Sequence, residues 1–136
     1  MLEDKAYYDP DNDMAFVAGG NANLLINGRT QLPPMSWQAG KTYHVRLINI
    51  MVNTPVVFSL RAGQTLSRWT AVGKDGMTLP TAQRLTTEAK LRIATGETYD
   101  FEITPASGDL VLRALRPANP AVRLKEYSIE VPIRVH

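Results

Sequence analysis

The sequence predicts an all-β protein built as an antiparallel β-sandwich or barrel. Three observations carry this. Apolar residues recur with period two along several segments. Gly, Asn, Asp and Pro turn signals separate those segments at short intervals. No segment sustains a 3.6-residue period. The 136 residues fit one compact domain. Hydrophobic residues at 44% suffice for a core, and 21% charged residues are too few for a disordered chain.

Residues 1–23 read as a connector and first edge segment, and residues 24–136 as the β-domain. Leu24-Leu25-Ile26 is a short strand ending at Asn27-Gly28. The stretch Arg29 to Ala39, with Pro33-Pro34, reads as a loop. From Tyr43 to Ile50, Tyr43, Val45, Leu47 and Asn49 face inward, while His44, Arg46 and Ile48 face outward. An inward Asn49 needs hydrogen bonds, for instance to a loop backbone, because leaving it unpaired costs about 1–3 kcal/mol. Val56, Phe58 and Leu60 mark a strand before Ala62-Gly63. Leu66 to Val72 is strand-like and closes at Gly73-Lys74-Asp75-Gly76. Met77 to Glu88, with Pro80, reads as a second loop.

Leu91 and Ile93 form a shorter strand, turned by Thr95-Gly96. In Glu97 to Thr104, Tyr99, Phe101 and Ile103 face in, and Asp100 and Glu102 face out. Leu110, Leu112 and Ala114 follow the Ser107-Gly108-Asp109 turn. The last segment alternates most strictly. Tyr127, Ile129, Val131, Ile133 and Val135 share one face; Ser128, Glu130, Pro132 and Arg134 share the other. Pro132 cannot donate to a ladder, so an edge or bulged strand is expected.

The chain has no cysteine, which excludes thiolate chemistry, disulfides, Cys-based zinc sites and blue-copper sites. Its formal charge is 15 − 13 = +2. No stretch interleaves basic and aromatic residues, so no nucleic-acid partner is expected. No apolar run approaches about 18 residues, so no membrane span is expected. Met1 to Lys5 is acidic and lacks an apolar h-region, so no signal peptide is read there. Two readings follow: a cytoplasmic protein, or a piece of a longer exported one.

No catalytic, cofactor-binding or metal-binding residue is assigned. His44 is the one internal histidine, and His136 is the last residue. A histidine metal site needs further converging ligands, so His44 reads as a surface residue or a partner for a neighbouring domain. Asp9, Asp11 and Asp13 alternate as in calcium loops, but lack the turning Gly and the distal bidentate Glu. A solvated linker is the plainer reading. Trp37, Trp69 and Met35 could line a cleft, but such residues are more often core. There is no Ser-His-Asp constellation.

Four motifs carry a resemblance. They are Ile26-Asn27-Gly28; Gly40 to Asn49, with Arg46 before Leu47-Ile48-Asn49; Lys74-Asp75-Gly76; and Gly96-Glu97-Thr98-Tyr99-Asp100. Their order and spacing resemble the multicopper oxidases, with Thr98 where that family often has Arg. Tyr7-Tyr8-Asp9-Pro10 resembles an inter-domain connector. The His-x-His pairs and His-Cys-His segment that bind copper there are absent. The chain thus resembles the copper-free middle domain of a three-domain oxidase. The resemblance implies a cupredoxin-like Greek-key sandwich in which Asn27, Gly28, Gly40, Arg46, Asn49, Asp75, Gly76, Gly96, Tyr99 and Asp100 are structural. It implies that the domain is not itself an enzyme and binds no cofactor. It implies flanking cupredoxin domains as partners, copper in the parent, oxidation coupled to O2 reduction, and a periplasmic or secreted location. Homo-oligomerisation stays open, and so does the rival reading of an independent immunoglobulin-like adhesion or carbohydrate-binding module.

Overall fold

A computed structural model describes residues 12–19 and 24–136. Among them are thirteen strands: β1 (Asp13–Gly19), β2 (Leu25–Ile26), β3 (Met35–Trp37), β4 (Tyr43–Asn49), β5 (Val56–Ala62), β6 (Thr65–Leu66), β7 (Arg68–Lys74), β8 (Met77–Thr78), β9 (Thr86–Glu88), β10 (Lys90–Ile93), β11 (Thr98–Ile103), β12 (Leu110–Arg116) and β13 (Tyr127–Val135). Two short 3-10 turns, Thr81–Gln83 and Pro120–Val122, complete the regular structure. One sheet runs β2-β1-β4-β11-β7-β8, with β9 also on β7. The other runs β10-β5-β12-β13-β3, with β6 on β5.

The all-β sandwich expected from the alternation is what forms. Phe16, Val45, Leu47 and Phe101 from the first sheet meet Phe58, Leu60, Leu112 and Val131 from the second in one core. Burying a large apolar side chain contributes about 1.5–3 kcal/mol. Trp37 stacks on Tyr43 with ring centroids 4.5 Å apart, and Trp69 on Phe101 at 4.0 Å. Both tryptophans are therefore core residues, and Met35 packs half-buried against the same cluster.

Two pairings depart from a purely antiparallel arrangement. Strand β1 runs parallel to β4, and β3 parallel to β13. Strand β1 falls within the segment read as connector and edge, yet it lies between β2 and β4 and is not an edge. The two stretches read as loops hold β3, β8 and β9. Strands of two or three residues leave too little sequence for a period to show. Strand β7 continues through Gly73 to Lys74, so the turn proper is Asp75-Gly76.

Pro132 also needs correction. Strand β13 lies between β12 and β3, so it is not a full edge. Its pairing with β3 covers only Ile133 to Val135. The Val135 N–H donates toward the β12 side, to Asp109, and the His136 N–H toward Trp37 of β3. By alternation Pro132 points its missing N–H to the β3 side, where no strand of the described residues reaches it.

Candidate functional site

Each motif does local structural work. Asn27 and Gly28 both have positive φ, 51° and 78°, as a two-residue type I′ turn requires. The Asn27 side chain then clasps β1, accepting from the Val17 N–H at 2.7 Å and donating to the Ala15 carbonyl at 3.1 Å. Asp75 and Gly76 form a second turn of this kind, at 50° and 81°. Gly40 donates its N–H to the Pro105 carbonyl.

Asn49 is fully buried and uses its whole side-chain amide. Its Nδ2 donates to the Thr54 and Ile93 carbonyls at 2.8 and 2.9 Å, and its Oδ1 accepts from the Met51 N–H at 2.8 Å. The inward polar side chain thus locks the loop after β4 to the end of β10, in the other sheet. The main chain of Asn49 accepts from the Gly96 N–H and donates to the Glu97 carbonyl.

Gly96 to Asp100 and Lys74 to Gly76 meet around this point. Thr98 N–H donates to the Asp75 carboxylate at 2.9 Å, and Asp75 N–H to the Thr98 carbonyl. Glu97 accepts from the Ala94 N–H and from Lys74 Nζ at 3.1 Å. These bonds, the Ala94 N–H first, hold the Glu97 carboxyl below its ordinary range. Hydrogen bonding to Tyr99 and then to Glu97 pushes the Lys74 ammonium above the ordinary lysine value. Motifs far apart in sequence therefore assemble at one end of the sandwich.

The outer face of the first sheet holds the other cluster. Arg46 forks onto Asp100, Nε to Oδ1 at 2.8 Å and the guanidinium NH2 to Oδ2 at 3.1 Å. That hydrogen bond raises the already high Arg46 pKa. Asp100, read as an outward polar residue, does lie on the outer face but is buried, at 6% exposure. Arg46 covers it, and Gly73 opposite it gives it room. His44 sits between two carboxylates, 3.7 Å from Asp13 and 3.9 Å from Asp100. It is half-buried, so its reading as an ordinary surface residue is incomplete. Asp9 and Asp11 lie outside the described residues, as does Tyr7 to Pro10.

The family resemblance implies copper, and the donor set decides whether this chain can hold it. The chain has two histidines and no cysteine. His44 is on β4, while His136 follows β13 in the other sheet and bonds Ser36 Oγ at 2.6 Å. Among the described residues no group of three His, Asp or Glu side chains is placed to hold a metal ion, the His44, Asp13 and Asp100 cluster included. These residues do not fit a blue or trinuclear copper site. A cavity of about 510 Å³ opens between Thr30–Leu32 and Tyr127–Pro132, and no motif residue lines it. No described helix is long and apolar enough to cross a membrane.

A family model described as Multicopper oxidase matches residues 3–123. No curated protein matches the chain. Among solved structures, Fet3p, a multicopper oxidase that functions in iron import, is 14% identical with a TM-score of 0.71, covering 97% of this chain and 29% of that one. McoA from the hyperthermophile Aquifex aeolicus is 20% identical with a TM-score of 0.69, covering 93% and 32%. A blue copper oxidase from Nitrosomonas europaea is 14% identical with a TM-score of 0.64, covering 96% and 47%. The chain thus spans less than half the length of each.

Proposed function

The chain belongs to the multicopper oxidase family, and from that membership we propose that it acts as a redox-silent structural domain of a longer oxidase. The copper, the substrate oxidation and the O2 reduction belong to other domains of the parent, in a periplasmic or secreted setting. This domain holds copper-bearing neighbours in position. The supporting observation is the donor set: no cysteine, and two histidines placed in different sheets. A rigid frame suits the role, and the Asn49, Asp75 and Glu97 bonds supply one at a single end of the sandwich. The motif residues are structural in this reading, and none contacts substrate. The alternative of an independent adhesion or carbohydrate-binding module gains no support from the comparisons.

Metal analysis after Cu(II) loading and desalting tests the reading. The expected result is far less than one copper per chain. Any copper scavenged through the terminal imidazole is lost in His136→Ala. Stoichiometric copper that survives this substitution would overturn the proposal.

A further inference from the structure

The outward face of the second sheet has a charge pattern that the structural role does not use. Strands β10, β5, β12 and β13 place Lys90, Arg92, Arg61, Arg113 and Arg134 on it, with Glu130 as the one carboxylate among those side chains. These strand side chains sum to 5 − 1 = +4, against +2 for the whole chain, and the Asp109 carboxylate, just before β12, lies at the Arg134 end of the sheet, 3.3 Å from the Val135 N–H. Register fixes the layout. Lys90, Ser59, Arg113 and Glu130 form one row across the strands. Arg92, Val57, Leu115 and Ser128 form the next. Arg61, Val111 and Pro132 flank the first row on its other side.

Among the described residues none of these five cations makes an ion pair, although Arg46 and Lys74 on the other sheet do. The Nε atoms of Arg61 and Arg113 are buried without a hydrogen-bond partner. Lys90 and Arg92 stand two residues apart on one strand, and Arg61 lies diagonal to Arg113. Such neighbours are about 7–8 Å apart, so like charges there repel within a screening length of about 8 Å at physiological salt. An incoming anion relieves that repulsion.

We propose that this face docks an acidic protein surface. Three features taken together point to that partner: the first to an anion, the other two to a protein. Four of the five cations are arginines, whose planar fork matches a carboxylate. Val57, Val111 and Leu115 are half-buried among them, giving an apolar centre with a charged surround. Tyr127, the one exposed aromatic of these four strands, alternates to the inward side and carries Arg116 5.8 Å from its ring centroid, so no aromatic stands among the five cations as a stacking platform for sugar rings or bases. The proposal goes beyond the structural role and does not depend on copper elsewhere.

Fluorescein-labelled poly-L-glutamate is titrated with the full chain in low salt and followed by anisotropy. Arg92→Glu/Arg134→Glu changes two exposed cations of the face. Arg29→Glu/Lys41→Glu makes the same net charge change on loops beside the first sheet. The first pair should weaken binding at least tenfold, the second less than threefold, with unchanged circular dichroism in both. Equal losses in the two pairs, or no binding by the unaltered chain, overturns the proposal. Tighter binding to polygalacturonate at equal carboxylate concentration also overturns it, in favour of an acidic polysaccharide.

Discussion

Gly73 and Asp100 face each other across the β7–β11 ladder, and a Cβ added to Gly73 would lie 2.8 Å from Asp100 Oδ2. The Met77 carbonyl, at 3.2 Å, closes the other side. The missing side chain is thus the space in which the buried carboxylate sits. Gly73→Ala should destabilise the fold by about 1–3 kcal/mol, the usual cost of overpacking. Asp100→Ala in the same chain should recover part of that loss, because the two residues share one space. Urea melts of the single and double variants measure this, and strict additivity would refute the steric account.

Removing Arg46 strands the carboxylate it covers. Arg46→Ala should cost about 1–3 kcal/mol, since the buried Asp100 loses its charged partner while the arginine itself is well exposed. Arg46→Lys should recover only part, because an ammonium cannot reproduce the two-pronged contact. Chemical denaturation ranks the variants. Equal stability of Lys and Arg would show that point charge alone suffices.

Asn49→Leu should be more damaging than His44→Ala. The first leaves the Thr54 and Ile93 carbonyls and the Met51 N–H without their partner. A cost of about 1–3 kcal/mol for each unsatisfied buried group makes this the largest loss expected from one side chain of the set. His44→Ala removes contacts at 3.7 and 3.9 Å, beyond hydrogen-bond length, and should cost under about 1 kcal/mol. Thermal melts showing the reverse order would mean that the strand faces are misassigned.

The Glu97 contacts carry a pH signature. Its carboxyl is held below the ordinary glutamate value of 4.5, first by the Ala94 N–H and then by Lys74. A depressed folded-state value means stability that is present above pH 4.5 and lost as pH falls through the lower folded value. Glu97→Gln should flatten that part of the acid denaturation profile and leave its neutral end with a pH-independent loss. An unchanged acid limb would show that the contacts bind both protonation states equally.

Much of the fold was legible because alternation reports which face is buried. Tyr43 to Asn49 and Ile129 to Val135 show it residue by residue, whereas Tyr127, read as inward, is exposed where β13 begins. Asn49 stood out as the polar exception on an apolar face. Pairing direction was not legible: nothing in Asp13 to Gly19 says that it runs parallel to β4, because periodicity is blind to a strand's neighbour. The burial of Asp100 was hidden for a similar reason. It depends on Arg46 one strand away and on an absent side chain at Gly73. Gly73 itself read as a turn residue, since a glycine beside Asp-Gly carries the same signal whether it bends the chain or yields space.

The β3–β13 pairing sets an order of events. Met35 meets Ile133, and Trp37 meets Val135, each across 133 − 35 = 135 − 37 = 98 residues of the chain. During synthesis the segment around Trp37 must wait for Ile133 to Val135 to emerge before its neighbour exists. Such distant closure is slow to reach, on the order of milliseconds to seconds for β topologies of this kind. Until then Trp37 has no strand beside it. A polypeptide stopped just short of Ile133 would stay in that unfinished condition, with its sheet edge free to recruit other chains.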